Sequence, residues 1–224
     1  FKLLMNNSKL LLCRSENYSK NSLSQDECHN LAQKYLEKSA QRCSNSEENI
    51  SIGVFGCGPG DNDINYLKKF VFPILQERFP NQGMNIYMID IAETKWSLND
   101  EIRLTEKIII RGIKSDIYQQ ILPNNSLDIV ISFSCLHWLN ELPFNKSEIK
   151  NIYSWSYLSD NQKENLRNYL DDKLKCFLLS RFNELKENGQ IILTFDAEVN
   201  NENHQYQGPT DYLSETLISL NNYE

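Results

Sequence analysis

The chain has 224 residues, of which 40% are hydrophobic and 24% charged, a composition typical of one large soluble domain or of one domain and part of a second. Its formal net charge of −7 argues against nucleic acid or an anionic membrane as a partner, because like charges repel. No apolar run is long enough to span a bilayer, and residues 1–13 lack the cleavage site of a signal peptide. We therefore expect a cytoplasmic protein.

The six cysteines do not form a CxxC pair, and no histidine lies at metal-ligand spacing from them. Cys57 and Cys135 fall at the ends of predicted strands, where small buried thiols are common. The sequence therefore predicts reduced thiols and no metal site.

Helical and strand-like segments alternate along the chain. Helices are predicted at 23–42, at 62–79 with a kink at Pro73, and at 159–187, the last ending at Asn188-Gly189. Strands are predicted at 50–55, 84–90, 106–112, 126–133 and 190–197. Because the strands are continuously apolar and alternate with helices, the pattern predicts an α/β fold with a mostly parallel sheet and helices on both faces.

A glycine-rich turn, GCGPG, follows the first predicted strand. Gly56, Gly58 and Gly60 let the backbone turn tightly and approach a ligand, and the next helix offers unpaired N–H groups at its start. Asp90 ends the second strand, where a carboxylate can accept hydrogen bonds from both ribose hydroxyls of a nucleotide. These residues predict a nucleoside-containing cofactor.

The turn alone leaves several alternatives open. A nicotinamide dinucleotide requires GxGxxG, but Asp61 stands where that pattern needs its last glycine, whereas S-adenosylmethionine tolerates GxGxG. A turn with no ligand also fits. Asp116, after the third strand, either approaches the adenine amino group or caps a following helix, and both roles are compatible. Nothing here resembles the catalytic acid or base of an oxidoreductase.

Six motifs, in this order, resemble the SABATH methyltransferases: YSKNSLSQ, GCGPGDN, YMIDI, SFSCLHWLNELP, NIYSW and FLLSRFNELKENGQIILTF. That family comprises carboxyl methyltransferases for salicylate, benzoate and jasmonate, and relatives that N-methylate xanthine alkaloids. The resemblance runs from about Tyr18 to the chain end. It implies a Rossmann-like class I methyltransferase fold, S-adenosylmethionine as cofactor with S-adenosylhomocysteine as product, a homodimer, and a helical cap.

The resemblance also implies a division of the chain. Residues 1–48 would form an N-terminal lid and helical segment, and residues 49–197 the core, with a cap insertion at about 144–160. Residues 198–224 would form a mobile loop and the first helix of a truncated cap. We expect this apolar final helix to need a partner that the sequence does not supply, which indicates a fragment.

Most of the site residues follow from the resemblance. It assigns the cofactor to Tyr18, Ser22, Gly56, Gly58, Gly60, Asn62, Asp90, Ile91, Asp116, Ile117, Ser132 and Phe133. It assigns the substrate to Gln25, His137 and Trp138. On its own, the His-Trp pair fits a core histidine beside a packed tryptophan equally well.

Methyl transfer to a small carboxylic acid needs no general base, since such acids have a pKa of about 4 and are ionised at neutral pH. What it needs is a carboxylate oxygen held in line with the sulfonium methyl group. The amide of Gln25 and the indole N–H of Trp138 can donate to that carboxylate without protonating it. His137 either donates to the substrate or braces Trp138.

Two positions depart from the family pattern. Val54 replaces an acid that holds the amino end of the methionine moiety, so that Asp61 or Asp63 would have to substitute. Ser134 replaces a common tyrosine and is expected to widen the pocket. The sequence thus predicts an O-methyltransferase that converts a small carboxylic acid to its methyl ester. The alternatives are N- or O-methylation of another small molecule, and a non-catalytic binding relative, which these departures motivate.

Overall fold

The computed structural model describes residues 23–43, 48–91, 101–136, 143 and 158–194, and the side chains of 23–29 and 31 are outside this description. The helices are α1 (Leu23–Arg42), α2 (Asp61–Tyr66), α3 (Phe72–Arg78) and α4 (Asp160–Glu184). The strands are β1 (Ile50–Phe55), β2 (Met84–Asp90), β3 (Glu101–Thr105), β4 (Ile108–Lys114), β5 (Leu127–Phe133) and β6 (Leu185–Thr194).

The six strands form one sheet in the order β3-β4-β2-β1-β5-β6. Five of them are parallel, and β3 pairs antiparallel with β4 at the edge. The predicted mostly parallel sheet is confirmed. Strand β3 was not predicted, because its residues alternate between exposed and half-buried and so lack the continuous apolar run of a central strand.

The sheet is buried on both faces, as predicted. All six residues of β1 are buried. On one face, Ile52 and Val54 pack with α1, α2 and α3 in a cluster that also includes Ile129 and Ile131. On the other face, a second cluster includes residues of α4, and Phe55 of β1 contributes to it. This arrangement is that of a doubly covered α/β sheet.

The second predicted helix is interrupted where Pro73 predicts a kink. A π-helical turn at Leu67–Val71 joins α2 to α3, and Pro73 occupies the first turn of α3. Proline has no backbone N–H to donate and is tolerated only in the first turn of a helix, so the ladder of hydrogen bonds is rearranged before it.

Helix α4 begins as predicted but ends earlier. Ser159 and Gln162 form a capping box, in which Gln162 N donates to Ser159 Oγ at 3.3 Å and Ser159 N donates to Gln162 Oε1 at 2.9 Å. The helix ends at Glu184, and Leu185 is already extended. Asn188, with φ of +63°, lies in β6 where its pairing with β5 shifts register. The prediction that Asn188-Gly189 ends the helix was therefore wrong.

Among the residues that the structure describes, no helix has the length and apolar character needed to cross a membrane.

Candidate active site

The carboxyl ends of the parallel strands meet at one edge of the sheet. From β1 the chain moves to β2 on one side, and later returns to place β5 on the other side of β1. Ligands of open α/β sheets bind in the crevice that such a reversal creates. The edge holds the glycine turn after β1, Asp90 at the end of β2, Asp116 after β4 and Ser132 near the end of β5.

All three glycines of the turn have positive φ, with values of 75° at Gly56, 57° at Gly58 and 91° at Gly60. A Cβ at Gly56 would lie 1.8 Å from Cys135 Sγ, so the site is closed to any side chain. A Cβ at Gly58 would meet no atom within 4 Å. The predicted tight turn is thus confirmed, and it borders open space at Gly58.

The carboxylate of Asp90 is held by two backbone groups. Gly58 N donates to Asp90 Oδ2 at 2.6 Å, and Ile91 N donates to Asp90 Oδ1 at 2.8 Å. The residue is 8% exposed. A carboxylate oxygen can accept more than one hydrogen bond, so this group can be fixed by the backbone and still accept hydrogen bonds from hydroxyls of a ligand.

Asp116 begins the turn that follows β4. Its Oδ1 accepts a hydrogen bond from Tyr118 N at 3.0 Å, which makes a side-chain-stabilised turn rather than a helix cap. Ile117 is 5% exposed and packs in the same cluster as Phe55 and Tyr118. Asp116 therefore stabilises a turn and does not cap a helix. The residue is half-buried after the carboxyl end of β4.

Ser132 and Phe133 point to opposite faces of the sheet, because successive side chains of a strand alternate. Ser132 is 1% exposed, and its Oγ has no hydrogen-bond partner among the described residues. Phe133 packs edge-to-face against Tyr66 of α2, with ring centroids 6.1 Å apart. An unpaired buried hydroxyl is costly, which makes Ser132 a candidate for contact with a ligand.

A family model for SAM-dependent carboxyl methyltransferases matches residues 13–223. The chain belongs to this family. Membership confirms the SABATH-like resemblance and the expected cofactor, S-adenosylmethionine. We expect the glycine turn and Asp90 to bind this cofactor.

Three known proteins illustrate the relationship. A probable jasmonic acid carboxyl methyltransferase 2 from Theobroma cacao is 22% identical over 212 residues, covering 80% of this chain and 55% of that protein. A salicylate/benzoate carboxyl methyltransferase from Arabidopsis thaliana is 23% identical over 199 residues, covering 81% and 52%. A structure of loganic acid methyltransferase with SAH superposes with a TM-score of 0.67 at 18% identity, covering 94% of this chain and 65% of that one.

The last comparison confirms the Rossmann-like class I methyltransferase fold. The chain spans about half the length of the curated relatives it matches, since it covers 55% and 52% of the two named above.

The glycine turn also contains a buried thiol. Cys57 is buried, and its Sγ lies 3.6 Å from the carbonyl oxygens of both Gly58 and Ile89. Burial raises the pKa of the Cys57 thiol well above its ordinary value, and the charges of Asp90 and Asp63 raise it further. The thiol is therefore protonated at neutral pH. The expected burial of Cys57 and Cys135 is confirmed.

The two departures from the family pattern are both buried. Val54 is 1% exposed within the apolar cluster beneath α1 and α2, which offers no place for an acid. Asp63, in the first turn of α2, is 8% exposed and acts electrostatically on Cys57. Ser134 has φ of +43°, is 5% exposed, and donates its backbone N–H to Thr194 O at 3.0 Å.

Several predicted site residues lie outside the described part of the chain, namely Tyr18, Ser22, His137 and Trp138. Gln25 lies in α1, but its side chain is outside the description. Asn62 lies in the first turn of α2. The substrate-facing assignments therefore stay predictions.

Sequence reasoning missed a buried ion pair close to this edge, between Arg181 and Glu184 of α4. The signal was present: Leu174, Phe177 and Leu178 are buried on α4 at a spacing that places Arg181 on the same face. Charged residues at such spacing are usually taken as a solvent-exposed pair.

Proposed function

We propose that the protein is an S-adenosylmethionine-dependent O-methyltransferase that converts a small carboxylic acid to its methyl ester. The observation that carries this proposal is the Asp90 carboxylate, held by the N–H groups of Gly58 and Ile91 beside a turn that borders open space. The family match over residues 13–223 supports the same activity.

The described residues fit the cofactor. Asp90 would accept hydrogen bonds from the ribose hydroxyls, and Asp116 with Ile117 would contact the adenine. Ser132 Oγ, buried and without a partner among the described residues, would donate to or accept from a polar group near the methionine end. The opening at Gly58 leaves room for close approach to the backbone.

When bound, S-adenosylmethionine supplies an electrophilic methyl group on a sulfonium. The chain's own contribution is to orient the substrate carboxylate, which is already ionised at neutral pH. We assign Gln25 and Trp138 as its hydrogen-bond donors and His137 as a second donor or a brace for Trp138. Because opposite charges disappear in the reaction, a pocket of low polarity favours the transition state over the separated ions.

We also propose how the whole protein is organised. The resemblance supports a homodimer, an N-terminal lid at 1–48, and a helical cap that begins in residues 198–224 and has an insertion at about 144–160. The acidic net charge supports an enzyme without nucleic-acid partners, and the free cysteines among the described residues support a cytoplasmic location.

A methyl-transfer assay on the full-length protein tests the activity. Labelled S-adenosylmethionine is mixed with a panel of aromatic, aliphatic and terpenoid acids, and ester is extracted into an organic phase. We expect labelled ester from at least one acid. Transfer to xanthines but to no acid would favour N-methylation, and binding of S-adenosylhomocysteine without any turnover would favour a non-catalytic relative.

A further inference from the structure

Two oppositely charged side chains at the end of α4 are fully buried. Arg181 and Glu184 are each 0% exposed. Arg181 Nε donates to Glu184 Oε2 at 2.7 Å, and Arg181 Nη2 donates to Glu184 Oε1 at 3.0 Å. Burial lowers the pKa of Arg181, and the hydrogen bond and charge of Glu184 oppose that effect.

The guanidinium of Arg181 also binds the turn that follows β4. Its Nη1 donates to Ile117 O at 2.7 Å, and its Nη2 donates to Gln119 O at 2.8 Å. One face of the guanidinium stacks on the ring of Phe55, 3.8 Å from the centroid. Phe55 is the last residue of β1, directly before the glycine turn. The same side chain therefore connects the segment after β4 to the end of β1.

Glu184 binds the other end of that segment. Its Oε1 accepts hydrogen bonds from Ile121 N at 2.6 Å and from Leu122 N at 2.9 Å. The ion pair thus satisfies four backbone groups of residues 117–122. Backbone groups of an irregular segment that are turned away from solvent need partners, and here two charged side chains supply them.

Stability alone does not explain this pair. A buried ion pair is often matched or exceeded in stability by apolar residues of similar volume, because removing two charges from water is costly. What apolar residues cannot do is fix the positions of individual carbonyl and N–H groups. The pattern of contacts therefore favours a role in positioning the segment.

We propose that Arg181 and Glu184 are positioning residues for the adenine of the cofactor. They fix the backbone from Ile117 to Leu122, and thereby the turn that places Asp116 and Ile117 at the edge of the crevice. This inference rests on the proposed function, because that function places adenine beside these two residues. Neither Arg181 nor Glu184 touches the cofactor in this proposal.

Two ligands that differ at the purine amino group test the proposal on the full-length protein. S-adenosylhomocysteine carries the amino group, and S-inosylhomocysteine carries an oxygen in its place. We expect the unsubstituted protein to prefer the first. Arg181→Lys keeps a positive charge but cannot reproduce the planar set of donors, so we expect the preference to fall by about fivefold or more. Calorimetry gives both dissociation constants.

Leu178→Ala is the matched control, since Leu178 is 2% exposed one turn earlier on α4 and its apolar side chain has no hydrogen bond to the turn. We expect it to lower stability but to leave the ratio of the two affinities unchanged. Glu184→Gln is a second, isosteric variant for which we also expect a reduced preference, and it decides the matter if Arg181→Lys does not fold.

The outcomes separate the two proposals. No binding of S-adenosylhomocysteine by the unsubstituted protein overturns the proposed function and this inference with it. Equal affinity of the unsubstituted protein for both ligands overturns the inference alone. The inference is also overturned if Arg181→Lys and Glu184→Gln, like the control Leu178→Ala, leave the ratio of the two dissociation constants unchanged.

Discussion

The backbone N–H of Gly58 donates a hydrogen bond of 2.6 Å to the carboxylate of Asp90. The bond joins the turn after β1 to the end of β2, so the two parts of the candidate cofactor site are held in one arrangement. Since Ile91 N binds the other carboxylate oxygen, the acid is oriented before any ligand arrives. Such preorganisation reduces the entropy that binding must otherwise supply.

Asp90→Asn should weaken binding of S-adenosylhomocysteine about 10- to 100-fold, because a hydrogen bond to a charged group contributes roughly 1.5–3 kcal/mol. The amide retains one acceptor oxygen, but its nitrogen cannot accept from a ribose hydroxyl or a backbone N–H. Calorimetry measures the change. Asp172→Asn, an exposed position on α4 with the same change of charge, should bind normally. Undiminished affinity in Asp90→Asn would contradict the ribose assignment.

Alanine at two glycines of the turn should have different effects. Gly56→Ala places a Cβ 1.8 Å from Cys135 Sγ in backbone of positive φ, so we expect a loss of about 3 kcal/mol or more in the free energy of unfolding. Gly58→Ala has room for its Cβ and should lose only about 1–2 kcal/mol from the unfavourable φ. Urea unfolding of both variants measures the difference.

The same Gly58→Ala protein should bind S-adenosylhomocysteine more weakly, because its Cβ projects into the open space beside the turn. Equal free energies of unfolding for Gly56→Ala and Gly58→Ala would show that contact with Cys135 is not the reason why position 56 requires glycine.

The sequence was sufficient for the parallel strands and for the polar residues at their ends. Five continuously apolar segments that alternate with helices are typical of a parallel sheet covered on both faces, and Gly56, Gly58 and Asp90 directly follow or end two of them. The sequence did not predict β3, because this strand lies at an edge of the sheet and needs no apolar run. Asn188-Gly189 is equally suited to a helix end and to an irregular strand, and only the pairing of Leu185 with Leu127 decides between them.

The site was predicted less fully than the fold. Strand alternation separates Ser132 from Phe133, which packs on Tyr66, although the resemblance placed both beside the methionine end. The contacts of Arg181 and Glu184 join residues about sixty positions apart in sequence, as the bond from Arg181 to Ile117 does with a separation of 64. Local sequence patterns do not contain such contacts.

A ligand that lacks the amino-acid portion of the cofactor can test which acid binds that portion in place of Val54. Val54 lies in the apolar core, so we expect Asp61 or Asp63 to hold the amino group of the methionine moiety. Asp63 is 8% exposed, whereas Asp61 is half-buried at the start of the same helix. We expect Asp63→Asn to weaken binding of S-adenosylhomocysteine about tenfold or more, because an ionic hydrogen bond is lost. Binding of 5′-methylthioadenosine, which lacks the amino-acid portion, should be unchanged.

Asp61→Asn is the matched control for this prediction and should have a small effect on either ligand. A loss for both ligands in Asp63→Asn would instead indicate a structural role for Asp63 under the turn. A selective loss in Asp61→Asn would assign the role to Asp61.

The thiol under the turn gives the protein a predicted pH dependence. In the unfolded chain Cys57 ionises around its ordinary pKa of 9.0, whereas in the folded protein burial and the charges of Asp90 and Asp63 raise its pKa well above that value. Above about pH 9 the folded state therefore binds more protons than the unfolded state. Below that pH the raised pKa of Cys57 contributes its full stabilisation of the folded state. Above it, the free energy of unfolding falls by up to roughly 1.4 kcal/mol per pH unit.

Urea unfolding at intervals from pH 7 to 10 measures this slope in the unsubstituted protein and in Cys57→Ala. The variant should be less stable at pH 7, because it leaves a small cavity, but its stability should fall less steeply above pH 9. Tyr66 adds to the slope only at higher pH, since burial raises its pKa from 10.0 to about 12. Cys176→Ala, which removes an exposed thiol, should retain the full slope. Parallel pH profiles for Cys57→Ala and the unsubstituted protein would mean that Cys57 ionises as readily in the folded state as in the unfolded one, and hence that the turn does not exclude water from it.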